Sequence, residues 1–253
     1  MTRYLISSSN EILLLVIFMD INRFLNEMEC LVPASLADEA DTLHNGLIVE
    51  GEREVKNICC SLDATIEAID RVVKISGTML VVHHPLFWNP LTAVKGYDAT
   101  ILRKLLSKKV NLFVMHTNFD RGPIGVNRTL AKVLELDSVE EMPIGVIGDC
   151  HLSIQAIAHR LKDWVRVTGS PKKIKKLAIV GGSGFDLDLI EYAVKQGADG
   201  FLSAELKHHV AIKSQLPLIE TSHYALEAPA MQSLARDQQW IFIETEPEYR
   251  EIK

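Results

Sequence analysis

The chain alternates short apolar runs with amphipathic segments along most of its length. The apolar runs are rich in Val, Ile, Leu and Phe, and they predict strands at residues 57–62, 79–82, 110–115, 176–180, 200–202, 217–220 and 240–244. Between the runs, apolar residues recur at helical spacing and predict helices at residues 66–73, near 99–107, at 186–195, from 206 and from 224. This alternation is typical of βαβ units and predicts an α/β fold.

The predicted elements divide into two α/β halves. We expect one lobe at residues 19–127, completed by 222–253 when the last helix and strand return to it, and a second lobe at 128–221. Asp63 follows the first of these strands and is a plausible N-cap for the helix at 66–73.

The first eighteen residues differ from the rest. The apolar stretch at 11–18 is too short to cross a bilayer, which takes about 20 residues, and no small-residue cleavage site follows it. Residues 19–28 have the pattern of an amphipathic helix that opens a domain. We therefore interpret residues 1–18 as an over-long start, with Met19 as the natural initiator. The alternative is an extra edge strand or oligomer contact made by residues 4–18.

Composition narrows the classes of function. Of 253 residues, 47% are hydrophobic, which is enough to bury a core, and the formal charge of −6 disfavours nucleic acid as a partner. We interpret the basic stretch at 172–176 as a solvated segment. The four cysteines form no C-x-x-C motif and are expected to be buried thiols in a reducing compartment. These features predict a cytoplasmic protein without a membrane anchor.

Candidate chemistry is concentrated where three of the predicted strands end. The strands at 79–82, 110–115 and 217–220 are followed respectively by His83 and His84, by Asp120, and by His223 and Glu227. Neighbouring side chains at a strand end point to opposite sides, so the paired imidazoles can serve two ions. His223 and Glu227 are four residues apart and share one helix face. We expect the three strand ends to lie at one sheet edge, and five convergent candidates favour metal ligands over structural histidines.

Other polar groups leave two interpretations open. Glu205 and His209, four apart on a predicted helix, could handle protons in the cleft or form a surface pair, and His116 is expected to support the ligands or face the substrate. The turn at 181–184 could hold an anion, but it has neither the G-x-G-x-x-G pattern nor a P-loop lysine. A tight turn without a ligand is therefore favoured there.

From Met19 to Lys253 the sequence resembles the Nif-three-like family, the GTP cyclohydrolase 1 type 2 homologues. The resemblance is carried by segments at residues 45–51, 61–65, 83–88, 116–120, 180–184, 197–200 and 223–227. It implies a dinuclear metal site in a two-lobed α/β fold with mixed sheets, assembled as a toroidal homohexamer. By matching motifs, His84 and Asp120 would hold one ion, His83 and His223 the other, and Glu227 would bridge them.

Two divalent ions about 3.5–4 Å apart support hydrolysis by activating water and stabilising negative charge. The mixed ligands suit Zn, Mn, Fe, Co or Ni. We expect a metal-dependent hydrolase acting on a small phosphorylated or nucleotide-like molecule, although no sequence motif indicates a guanine pocket. The alternatives are a ring-shaped scaffold that binds DNA or a transcription-related protein, and a metal storage or insertion protein.

Overall fold

A computed structural model of the chain describes residues 5–6, 12–13, 19–171 and 173–247. The strands are β1 (Leu5–Ile6), β2 (Ile12–Leu13), β3 (Met19–Asp20), β4 (Gly46–Val49), β5 (Glu54–Val55), β6 (Cys59–Ser61), β7 (Met79–Val82), β8 (Asn111–Val114), β9 (Asp137–Glu141), β10 (Val146–Asp149), β11 (Arg166–Val167), β12 (Lys176–Ile179), β13 (Gly200–Ser203), β14 (Leu218–Glu220) and β15 (Ile241–Phe242). The α-helices are α1 (Ile21–Leu31), α2 (Ile66–Lys74), α3 (Gly96–Ser107), α4 (Thr117–Arg121), α5 (Val126–Val133), α6 (Ile154–Leu161), α7 (Leu187–Lys195), α8 (His208–Lys213) and α9 (His223–Gln238). Short 3-10 helices occupy Ala34–Leu36 and Glu39–His44.

A five-stranded sheet has the order β15-β6-β7-β8-β4. Its strands are parallel except for β4, which pairs antiparallel with β8. Helices α2 and α3 connect its central strands, and every residue of β7 is buried. A strand covered on both faces needs a continuous apolar run rather than an alternating one, which is what residues 79–82 provide.

A six-stranded sheet has the order β11-β14-β13-β12-β10-β9. Its three central strands β12, β13 and β14 are parallel, and the remaining strands pair antiparallel with their neighbours. Both sheets are flanked by helices, so the predicted mixed α/β architecture is confirmed. The lobe boundaries at 127/128 and 221/222 stay a prediction.

The predicted strands and helices are present, with ends that differ by a few residues. The helix expected from residue 206 begins at His208, and Asp63 does not cap α2. Thr65 caps it instead, since its side chain accepts a hydrogen bond from the Ala68 N–H. The sequence patterns missed several short elements, namely β4, β5, β9, β10, β11 and α4, α5, α6. Each is at most eight residues long, although the apolar residues of α5 and α6 do recur at helical spacing.

One hydrophobic core joins the two sheets. It contains Val81 of β7, Ile179 of β12, and Leu226 and Met231 of α9, all nearly inaccessible to solvent. Helix α9 also packs against α5 and β6. The first turn of α9 is therefore fixed relative to both sheets, and this is the turn that carries His223 and Glu227.

The start of the domain is fixed by backbone pairing. Met19 and Asp20 pair antiparallel with Glu54 and Val55, and the Asp20 carboxylate caps α1. The helix predicted at 19–28 thus begins two residues later, at Ile21. Strands β1 and β2 pair with each other in a separate two-stranded sheet, and the rest of residues 1–18 lie outside the described chain. Within the described parts of the chain, no helix combines the length and apolarity needed to cross a bilayer.

We expect a chain that begins at Met19 to fold as the full chain does, because β3, the α1 cap and the fully buried Phe24 all remain. Thermal unfolding should give the same Tm for both chains. A chain that begins at Asn26 is the control and should be strongly destabilised, because it loses β3 and Phe24. A marked drop in Tm for the Met19 chain would show that residues 1–18 are structural.

Candidate metal centre

The two adjacent histidines follow β7 directly. The backbone N–H groups of His83 and His84 both donate to the Leu62 carbonyl, which turns the chain sharply at this point. His83 is completely buried, whereas His84 is partly exposed. The two rings diverge, with centroids 5.1 Å apart and planes inclined by 48°.

The other predicted ligands come from two different sheets. Asp120 lies in α4, after β8 of the five-stranded sheet, whereas His223 and Glu227 follow β14 of the six-stranded sheet. The expectation that three strand ends share one sheet edge is therefore wrong. The site lies between the sheets, because the first turn of α9, which follows the six-stranded sheet, lies against the end of the five-stranded sheet.

Three ligand-type atoms form the first group. His84 Nε2 and His223 Nε2 lie 2.8 and 3.0 Å from Glu227 Oε2, and the two nitrogens are 3.2 Å apart. In the second group, His83 Nε2 lies 3.4 Å from Asp120 Oδ1 and 3.7 Å from Glu227 Oε1. Ligand atoms around a tetrahedral zinc ion are about 3.3 Å apart, given Zn–N distances of about 2.0–2.1 Å. Both groups have spacings that suit one divalent ion each.

This grouping differs from the pairing that the family resemblance implies. Within ligand distance of one another, the structure combines His84 with His223 and Glu227, and His83 with Asp120 and Glu227. It also brings His83 and His84 within that distance of His116. The resemblance had combined His84 with Asp120. The shared position of Glu227 is the part of that expectation that the geometry supports.

Unpartnered buried atoms test whether these residues fit a metal. His83 Nε2 and Asp120 Oδ1 are buried, and neither makes a hydrogen bond of acceptable geometry with any described residue. An unsatisfied buried polar atom is costly, so such atoms are rare unless something else binds them. Since these two atoms lie 3.4 Å apart, beside the Glu227 carboxylate, the donor set fits a divalent cation.

Each imidazole is held by its other nitrogen. His83 Nδ1–H donates to the Met115 carbonyl at 2.9 Å, His84 Nδ1–H to Asp63 at 2.7 Å, and His223 Nδ1–H to Glu205 at 2.7 Å. An oxygen acceptor at Nδ1 fixes the tautomer that leaves the Nε2 lone pair free. The three rings are therefore held in fixed orientations, with their Nε2 atoms directed toward the carboxylates.

The protonation equilibria of the metal-free site are tightly linked. Although burial opposes the charged form, hydrogen bonds to Asp63 and Glu227 raise the pKa of His84 to about 10. Burial likewise opposes charge on Glu227, yet the surrounding imidazoles hold its pKa well below the usual range. Burial raises the pKa of Asp120 to about 7, with His83 partly offsetting it. Without metal, protons on the imidazoles supply the positive charge that the buried Glu227 needs.

His116 is a fourth imidazole beside the three predicted ligand histidines. Its Nδ1 lies 3.0 Å from Asp41 Oδ2, and its ring lies 5.1 Å from that of His83. Asp41 is buried and also accepts hydrogen bonds from Thr117 and Asn45, which, against the effect of burial, lower its pKa to about 2. His116 is thus held in place by a carboxylate that is ionised at neutral pH.

Glu205 and His209 do not form the expected helical pair. Glu205 lies in the loop before α8, in a left-handed conformation with φ of 60°, and its carboxylate accepts from His223. His209 is exposed on α8 and does not line the cavity at the metal centre. The direct role of Glu205 is to orient a ligand, because the loop bends its side chain back toward α9.

The glycine turn after β12 provides space for the site. A Cβ on Gly182, whose φ is 63°, would lie 2.3 Å from Glu227 Oε1 and 3.1 Å from His223 Nε2. The Gly181 and Gly184 N–H groups donate to Asn127 and Ser203, so they are not available to an anion. The turn thus permits close approach of the backbone to the ligands, and the favoured interpretation of a tight turn fits its hydrogen bonding.

A cavity of about 750 Å³ opens from the ligand groups. His84, Asp120, His223 and Glu227 form one side of it, and His116 and Trp88 stand beside them. The rest of the lining includes Pro143, Ile144, Asp186, Asp188, Leu189 and Tyr192. The metal centre therefore faces a space large enough for a small organic molecule.

The sequence patterns did not indicate two residues that hold histidines of the site in place, for different reasons. Asp63 follows β6, a parallel neighbour of β7, so the rule that parallel strands end at one edge would have placed it beside His84. Asp41 lies in a 3-10 helix 75 residues before His116, and no local pattern connects them.

Comparison with known proteins identifies the family. A model of the Duf34/NIF3 (NGG1p interacting factor 3) family matches residues 19–245. The chain belongs to the Duf34/NIF3 family. Among curated NIF3 relatives, the GTP cyclohydrolase 1 type 2 homolog of Pyrococcus abyssi is 31% identical over 223 residues, covering 80% of this chain and 87% of that protein.

Solved structures agree with this assignment. Reduced HcgD from Methanocaldococcus jannaschii superposes with a TM-score of 0.80 at 25% identity, covering 90% of this chain and 98% of that one. A hypothetical protein of Staphylococcus aureus gives a TM-score of 0.80 at 26% identity, covering 92% and 99%. The family expected from the motifs is confirmed, and the family match begins at Met19.

We expect Gly182→Ala to lower metal affinity by at least about tenfold, as changes next to metal ligands commonly do, because the new methyl group would displace Glu227 and His223. Gly169→Ala is the matched control, since Gly169 also has a positive φ, of 72°, but has open space around its Cβ position. Both variants should lose similar stability from backbone strain. Equal metal affinity in the two, measured by titration calorimetry, would contradict a steric role for Gly182.

Metal binding should release protons. Because neighbouring carboxylates raise the pKa values of His83, His84 and His223, these rings hold protons in the metal-free protein and must lose them to bind a cation. Metal affinity should therefore rise as the pH increases toward 10, the pKa of His84. Calorimetry in buffers of different ionisation enthalpy measures the number released. Zero proton release near neutral pH would refute the proposed protonation states.

Proposed function

We propose that this NIF3 protein is a metal-dependent hydrolase with two divalent ions per chain. The proposal rests above all on one observation: the three ligand imidazoles each have an oxygen acceptor at Nδ1 and direct Nε2 toward Asp120 and Glu227. Such preorganisation is typical of metal sites. Zn, Mn, Fe, Co and Ni all suit this mixed set of nitrogen and oxygen donors.

In this proposal the two ions, when bound, activate water and stabilise negative charge on the substrate oxygen. Glu227 contacts both ligand groups and holds them at a fixed separation, while Asp120 completes the group around His83. Asp63 and Glu205 keep His84 and His223 in the binding tautomer. No residue of the chain needs to act as a nucleophile.

His116 is the residue proposed to handle a proton. It lines the cavity, and burial and the neighbouring His83 lower its pKa, which favours the neutral form of the ring. With Nδ1–H held by Asp41, its Nε2 can accept a proton from water or donate one to a leaving group. Glu205 is proposed to act only through His223, and His209 has no proposed role.

The substrate is proposed to be a small phosphorylated or nucleotide-like molecule. The cavity volume of about 750 Å³ suits a molecule of this size, and Trp88 offers an aromatic surface beside the ligands. Several carboxylates and no Lys or Arg are among the described residues that line the cavity, so a phosphate fits this lining only where the ions bind it. The phosphate is therefore placed at the metal centre rather than at the glycine turn.

The chain is further proposed to act as a homo-oligomer, a toroidal hexamer, in the cytoplasm. An exposed apolar segment beside the cavity supports self-association, since Trp88, Leu91, Val94 and Tyr97 are each at least 42% exposed. Light scattering should give a single species heavier than the monomer.

Elemental analysis of protein purified without added metal should give two ions per chain. Glu227→Gln should lose both, because the carboxylate belongs to both ligand groups, whereas His83→Ala should mainly lose one. His151→Ala is the control, since His151 is exposed and pairs with Asp137, which belongs to neither ligand group. If Glu227→Gln protein retains two tightly held ions, the shared-ligand assignment is wrong.

Hydrolysis of phosphoesters and cyclic amides should be screened with the same sample. Activity should disappear with a chelator and return with Mn or Zn, and Asp120→Ala should abolish it without lowering Tm. Equal turnover by wild type and Asp120→Ala would indicate a contaminating enzyme. A metal-replete protein without turnover on either substrate class would favour the scaffold or metal-storage alternatives.

A further inference from the structure

Trp88 is an exposed aromatic side chain in the cavity at the metal centre. It is 55% exposed and lines the same space as His84, Asp120, His223 and Glu227. Tryptophan has much to gain from burial, because its indole carries a large apolar surface. An indole that remains accessible here is therefore well placed to be covered by a molecule that binds at the metal centre.

The indole is held in a fixed orientation by two imidazoles. Its centroid lies 5.1 Å from that of His116, with the planes at 84°, and 6.1 Å from that of His44, with the planes at 55°. One buried carboxylate holds both imidazoles, because Asp41 Oδ2 lies 3.0 Å from His116 Nδ1 and Asp41 Oδ1 lies 3.2 Å from His44 Nδ1. A ligand that packs on Trp88 therefore has little ordering of the side chain left to do.

The same imidazole connects Trp88 to the metal centre. The His116 ring, which contacts the indole, also lies 5.1 Å from the ring of His83 and 6.0 Å from that of His84. One ring thus separates Trp88 from two of the candidate ligands. A phosphate held by ions at these ligands would leave the organic group to which it is esterified within reach of the indole.

The rest of the lining has no basic group that could bind a second anion. No Lys or Arg is among the described residues of this lining, whereas Pro143, Ile144, Leu189 and Tyr192 are. The organic part of a phosphorylated substrate therefore meets apolar and aromatic contacts here. Stacking of a planar ring on an indole is a strong contact of this kind, since it adds attraction between π faces to the burial of apolar area.

We propose that Trp88 determines the substrate class of this site: a phosphate monoester whose organic part carries a planar aromatic or heteroaromatic ring, stacked on the indole while the phosphate binds at the metal centre. This inference rests on the proposed function, because the phosphate requires the bound ions. It distinguishes aromatic esters from saturated esters of the same size, a choice that cavity volume and apolar area do not make.

The test compares two matched series of probes on the full chain, after elemental analysis has verified its metal content. These are phenylalkylphosphonates and cyclohexylalkylphosphonates with spacers of one to four methylene groups, whose C–P bond resists hydrolysis. At the best spacer length the phenyl compound should bind about fivefold more tightly, as measured by calorimetry. A cavity that selects only for apolar area would bind the cyclohexyl compound at least as well.

Trp88→Ala should remove the phenyl preference, and Trp88→Phe should restore part of it, because phenylalanine keeps a smaller aromatic face. Trp164→Phe is the matched control, since Trp164 is also 45% exposed but lines a different surface depression. This control should keep the wild-type preference. Phenyl probes should also shift tryptophan emission to shorter wavelength in the wild type and in Trp164→Phe, but not in Trp88→Phe, which lacks the indole that loses water.

Equal binding of the two series by metal-loaded protein, failure of both to bind, or a phenyl preference that survives in Trp88→Ala would each overturn the proposal. So would loss of self-association in Trp88→Ala, measured by light scattering, because Trp88 would then face a second copy of the chain. Failure of the proposed hydrolase is judged separately, by metal content and turnover. The ring preference can fail while alkyl phosphates are hydrolysed, and it can hold in a protein that cleaves nothing.

Discussion

The burial of one carboxylate governs the architecture of this site. Glu227 is 3% exposed in the first turns of α9, and an ionised carboxylate removed from water is very unfavourable unless opposite charge surrounds it. His83 and His84, which follow β7, and His223, which follows β14, all lie close to this carboxylate. The positive charge can come from protons on the imidazoles or from metal ions. In both cases the three imidazoles must remain close to Glu227, and the turns that carry them hold them there.

This requirement explains why the site lies between two sheets. The five-stranded sheet supplies His83, His84 and Asp120, while the six-stranded sheet leads into His223 and Glu227 and brings Gly182 against them. A cation bound here contacts residues from both halves of the chain. Since a ligand that binds only the native state stabilises it, metal binding should stabilise the packing of the two sheets as well as the site itself.

The groups that orient the imidazoles are separate from the groups that set the charge inside the cavity. Asp63, Glu205 and the Met115 carbonyl fix the ligand imidazoles, and Asp41 fixes His116, so the rings are held by groups outside the cavity. Inside the cavity, acidic and apolar side chains predominate. Bound cations would then be the main source of positive charge, and they would determine where an anionic part of a ligand binds.

The sequence by itself determined the α/β class, the parallel strands of both sheets, six of the nine described α-helices, the family and the set of candidate ligands. Apolar runs followed by His or carboxylate are local patterns, and local patterns specify which residues end a buried strand. Tertiary structure alone decided that β14 belongs to a different sheet from β7, that His84 is grouped with His223, and that Asp41 holds His116. These relations depend on how α9 packs against both sheets, and contacts between residues distant in sequence leave no periodic signal along the chain.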